Sequence, residues 1–236
     1  MIKGDAIAEV CYVLSADKMQ TETIRHIIPI NQIMEFDGME EHYKGDVFLQ
    51  VVSADVIMKG ESAGSATSFD VSLVLDAHTT MWEEKELVVI ADAYAVDKAL
   101  ELQQAPYNFF SYADEIKDTH SFSGEFTISG DGVYSVVDSC GELTSIQVKN
   151  EKGELVISGG VNVSAIIKDS SGNISSVNKI FDYSYKKAGD FTDRSIFCKP
   201  GIVLTNLECK PKNSNSIGFF AELNISATVL EQKRFD

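Results

Sequence analysis

GGVNVSAIIKDSSGN, residues 159–173, carries apolar residues at every second position and then runs into a polar turn. Period-two alternation places one set of side chains on one face of a strand, and Ser171-Gly172-Asn173 supplies the residues that tolerate the positive φ of a tight hairpin. The stretch has a twin in GDAIAEVCYVLSAD, residues 4–17, which again opens on glycine and alternates into a polar turn. A second pair lies further along: Phe69 opens FDVSLVLDA and Phe219 opens FFAELNISA. In register, Val71, Leu73, Leu75 and Ala77 fall opposite Ala221, Leu223, Ile225 and Ala227, one strand face in each half. Two copies of one β-domain explain both pairs.

The rest of the chain reads the same way. VFLQVVSADVIM (47–58), ELVVIADAYAV (86–96), EFTISGDGVYSVVD (125–138) and GIVLTNLEC (201–209) are further strand signals. Turn chemistry separates them, at Gly130-Asp131-Gly132 and at Lys152-Gly153. Helix is expected only over Ile28–Met34, after Pro29, and over Tyr112–Lys117. The fold class is therefore mostly β: two tandem, related β-sandwich-like domains with little helix. Their expected bounds are 1–105 and 120–236, joined by a linker over 106–119. Ahead of Gly159 the second copy carries one or two extra strands, whereas three residues precede Gly4. The first domain is thus expected to lack its opening strand, through a cut from a longer protein or because a neighbouring chain supplies it.

Composition narrows the function. With 20 Lys+Arg against 36 Asp+Glu, the formal charge of the 236 residues is −16, which argues against a nucleic-acid partner because phosphate binding draws on basic residues. The N-terminus shows no secretory signal, and no apolar run is long enough for a membrane helix, so a cytoplasmic protein without membrane insertion is expected. Cys11, Cys140, Cys198 and Cys209 form no CxxC; a disulfide between Cys198 and Cys209 requires that their strands be neighbours. His26, His42, His78 and His120 show no zinc-ligand spacing with the cysteines.

Chemistry finds little purchase. No G-x-S-x-G elbow marks a nucleophile, and His26 and His78 read as edge or core histidines. Glu40 with Glu41, and Glu83, Glu84 and Glu86 around Lys85, read as solvated turns. Asp169–Asn173 and Asp131 lack the acid pattern of a calcium loop, and no phosphate cradle is present. The expectation is a protein that is not an enzyme, with no cofactor and no metal. The residues singled out for an interface are Trp82, Tyr107, Phe109, Phe110 and Tyr112. Those aromatics either pack in a seam between domains or form an exposed patch that docks a protein partner. A sugar-binding β-sandwich is the alternative, for which Trp82 is the one available tryptophan platform.

The run VYSVVDS…GELVISGGVNVSAIIKDSSGNISSVNKIFDY resembles the SPOCS domain, also designated DUF3794, of spore-morphogenesis proteins in spore-forming Firmicutes. LVVIADAYAVDKALEL, with Asp92, Ala93 and Tyr94, is similar to that family's Asp-Ala-Tyr segment. The resemblance implies tandem β-rich domains without known catalytic residues, acting in spore coat assembly on the mother-cell side of the forespore. Some members carry a C-terminal LysM module that engages a coat-basement ATPase. The chain after Lys233 shows no such segment, so that contact is carried over to no residue.

Overall fold

A computed structural model describes the chain except for residues 16–19, 36, 39, 41, 61–67, 87, 89, 91, 100, 102, 104, 129–131, 193–194 and 236. Its regular elements among the described residues are all strands: β1 (Ile2–Ser15), β2 (Gln20–Gln32), β3 (Lys44–Lys59), β4 (Ser68–Trp82), β5 (Tyr107–Thr127), β6 (Ser135–Glu151), β7 (Glu154–Lys168), β8 (Ile174–Lys187), β9 (Ser195–Cys198), β10 (Gly201–Asn213) and β11 (Ser216–Phe235). The chain divides into two compact units, Met1–Tyr12 with Glu22–Lys98, and Ala99–Asp236 with Val13–Thr21. The mostly-β expectation holds.

Both expected helices are strand instead. Ile28–Gln32 ends β2, where β-branched Ile27, Ile28 and Ile30 favour extended backbone. Tyr112–Lys117 lies inside β5 and pairs with β11 at every residue but Ala113, so tertiary pairing overrides a short local helix signal. The linker expected over 106–119 is likewise β5 from Tyr107 onward. Conversely, ELVVIADAYAV forms no strand among its described residues, and Val88, Ile90, Tyr94 and Val96 are almost fully exposed.

The C-terminal unit packs a sheet of order β6-β7-β8 against one of order β10-β11-β5, with β9 also paired to β11. β10 lies over β6 and β5 over β8. The core sits between the sheets. From β7 come Leu155, Ile157, Val161, Val163, Ala165 and Ile167, all odd-numbered and buried. From β11 come Ile217, Phe219, Ala221, Leu223, Ile225, Ala227 and Val229. Both strands thus bury one face by period two. Phe219 lies over Gly124, where a β-carbon would come within 2.5 Å of its ring, and meets Phe181 at 4.4 Å between centroids. The β6–β7 hairpin turns on Lys152 and Gly153 at φ 53° and 82°. The β7–β8 turn is tied by Asp169, whose Oδ1 accepts from the backbone N–H groups of Ser171 and Asn173 at 2.8 Å. Gly130 and Asp131 lie outside the described residues.

The N-terminal unit pairs β1 with β2 and β3 with β4. On β4 Phe69, Val71, Leu73, Leu75 and Ala77 are half-buried and alternate with exposed residues. On β1 Ala6, Ala8, Val10 and Tyr12 behave in the same way. No described apolar residue of this unit reaches the buried class; the buried apolar residues described all lie between Ile116 and Val229. Tyr12 and Phe69 bring the hairpins together at 5.3 Å between ring centroids. Beside them lies an open cleft of about 760 Å³ lined by Ala8, Val10, Ile24, Ile28 and Val71, with His26, Asp55 and Asp70 also bordering it.

Prolines within strands are confined to end strands, Pro29 in β2 and Pro211 in β10, where a missing N–H need not break a central ladder. The disulfide tested by strand adjacency does not form. Cys198 stands opposite Val229 and Cys209 opposite Phe219, roughly 30 Å apart along β11 at about 3.3 Å per residue. All four thiols are free.

Candidate interaction surface

The five aromatics expected at an interface do not converge. Trp82 closes β4 opposite Lys44 and is half-buried. The other four lie on the first part of β5, where alternation puts Tyr107 and Phe109 on one face and Phe110 and Tyr112 on the other, and a single irregularity further along decides which face points outward. Val229 pairs with Asp114 but Leu230 pairs with Tyr112, so Ala113 is an extra residue in the ladder. An inserted residue reverses the alternation. After it, even-numbered Ile116 and Phe126 point into the core at 1% and 4% exposure; before it, even-numbered Phe110 and Tyr112 point outward at 56% and 60%.

β11 and β9 continue that outward face. Leu230 pairs with both Tyr112 and Phe197, so its neighbours on either side share its direction. Phe197 is 55% exposed and meets Phe110 at 5.9 Å between ring centroids. Phe110, Tyr112, Leu230 and Phe197 therefore form an apolar patch across three strands. Tyr107 and Phe109 lie on the opposite face, stacked at 6.5 Å, with Phe109 half-buried. Phe197 carried no signal in the sequence, because its strand is four residues long and gains its place only by pairing with β11.

Two ion pairs lie on the other face of the sheet, the side of Val229. Lys187 meets Asp114 at 3.4 Å and Lys233 meets Glu231 at 3.7 Å. Such partly exposed pairs contribute little to stability.

Titratable groups elsewhere are held by neighbours. His42 contacts Glu83 at 3.1 Å and Glu40 at 3.4 Å, and Lys85 contacts Glu83 at 2.7 Å. Lys85 and then His42 hold the Glu83 carboxyl below its ordinary range. The His42–Glu83 pair has the spacing of a base and its orienting acid, but it is exposed and does not border the cleft of its unit. His26 and His78 are exposed on β2 and β4; His120 stacks on Phe122 at 6.3 Å. Tyr185 donates to Asp118 Oδ2 at 2.9 Å; burial and then that carboxylate push its hydroxyl up to about 12. Burial pushes the Cys198 thiol up to about 11. Both carboxylate oxygens of Asp169 accept hydrogen bonds within its turn, which leads to the hairpin reading of that segment.

Among the described residues no three His, Cys, Asp or Glu side chains cluster as metal ligands, and no helix is long and apolar enough to cross a membrane. No family model, no curated protein and no solved structure matches the chain.

Proposed function

We propose that the chain is a non-enzymatic protein-interaction module and, on its resemblance to the SPOCS domain, that it works in assembly of the spore envelope on the mother-cell side of the forespore. The observation that carries the interaction reading is the patch of Phe110, Tyr112 and Phe197, three rings each more than half exposed on one sheet face. Clustered exposed aromatics supply large contact area at low entropy cost, and they are enriched where protein partners dock. The charge of −16 favours a partner with a basic rim.

The test is localisation in sporulating cells. A fluorescently tagged chain should concentrate at the forespore surface, and Phe110→Ser with Tyr112→Ser should disperse it without lowering its melting temperature. Uniform fluorescence of the unaltered chain would overturn the spore-envelope reading. Unchanged localisation of the double variant would overturn the role of the patch.

A further inference from the structure

The two units share a strand plan but not its coverage. In the C-terminal unit β7 is flanked by β6 and β8, and β11 by β10 and β5. In the N-terminal unit β1 has β2 and β4 has β3; their other edges are unpaired among the described residues. The stripes correspond: Ala6, Ala8 and Val10 follow Gly4 as Val161, Val163 and Ala165 follow Gly159. Leu73 and Leu75 follow Phe69 as Leu223 and Ile225 follow Phe219. Yet Val161, Val163 and Leu223 are 0% exposed and their counterparts only half-buried. What the N-terminal unit lacks are the equivalents of β5 and β6, one from each sheet.

Glycine placement supports this independently. A β-carbon on Gly159 would strike the Ser145 main-chain oxygen of β6 and come within 2.7 Å of the Tyr183 hydroxyl. At Gly4 nothing lies within 4 Å. A glycine stands where the crowding that demands it in the other unit is missing.

We infer that the N-terminal unit is completed by a strand-donating polypeptide segment patterned on Tyr107–Glu151 of this chain. One strand adds antiparallel to the open edge of β4 as β5 does to β11. The second adds to the open edge of β1 as β6 does to β7. A small apolar ligand in the cleft could cover Val10 and Val71 but would leave the edge N–H and C=O groups unpaired, whereas a strand satisfies both. The inference rests on the kinship of the two halves and not on the spore-envelope reading, so either can fail alone.

The test grafts a second copy of Tyr107–Leu155 directly ahead of Met1 of the full chain. That junction gives Gly4 the same spacing from the donated strand as Gly159 has from β6. Hydrogen exchange of the unaltered chain should show β1 and β4 amides exchanging much faster than those of β7 and β11. The graft should slow them by roughly tenfold or more. Ile116→Ser, Phe122→Ser and Phe126→Ser within the grafted copy alone should abolish the gain. Three results would overturn the inference: β1 and β4 amides already as protected as β7 and β11 in the unaltered chain, no slowing on grafting, or equal slowing by the serine-substituted graft. The first would mean that the unit closes unaided or against a second copy.

Discussion

The main-chain oxygen of Ser145 occupies the space that a β-carbon on Gly159 would need. β6 is irregular at this point, its register slipping between Leu143 and Ser145, and the slip brings the carbonyl against β7. Because the obstacle is backbone, it cannot swing aside as a flexible side chain would. Gly159→Ala should destabilise the protein by roughly 2–4 kcal/mol, read as a lower denaturant midpoint. Gly4→Ala, which meets open space, should stay within about 0.5 kcal/mol of the parent.

The matching stripes predict unequal costs. Leu223 is fully buried, so Leu223→Ala should cost roughly 2–5 kcal/mol. Leu73, its half-buried counterpart, should cost about half as much or less when changed to alanine. Equilibrium denaturation with a probe in each unit separates the two, and equal costs would contradict the difference in burial.

Alkaline pH should act through Tyr185. Its hydroxyl is raised from 10.0 to about 12 in the folded chain, so the folded state holds that proton more tightly than the unfolded one. The resulting stability is fully present below about pH 10 and is lost as pH rises through about 12. Tyr185→Phe should lack this alkaline loss, while costing about 1 kcal/mol at neutral pH because Asp118 loses its donor. Tyr183, also raised by burial, is present in both proteins and cancels in the comparison.

Thiol labelling should rank the cysteines. Cys140 is exposed and should react first with a maleimide at neutral pH. Cys198, its thiol pushed up by burial to about 11, should react only after unfolding. Early modification of Cys198 would show that β9 detaches from β11.

Much of the fold could be read from alternation, because a strand with one buried face writes its period into the residues. The stripes of β4, β7 and β11 followed from that rule, and the turns at Lys152-Gly153 and Gly172 from residues that tolerate positive φ. What alternation does not contain is partnership. Tyr112–Lys117 looks helical in isolation, and its extended state is imposed by β11, more than a hundred residues further along. ELVVIADAYAV fails in the opposite sense, having strand-forming residues but no strand pairing among its described residues. The surface was half legible. Alternation alone separates Phe110 and Tyr112 from Tyr107 and Phe109, but which of the two faces points outward depends on one extra residue, Ala113, which no periodicity announces.

β11 is the strand against which β5, β9 and β10 are all arranged, and Phe235 at its far end pairs with Tyr107 at the start of β5. During translation, β5 therefore waits for its partner until nearly the whole unit has left the ribosome. The decisive pairing of that unit comes only once β11 has itself been made, and until then β5 remains an unsatisfied edge in the nascent polypeptide, the period in which a chaperone has most to protect.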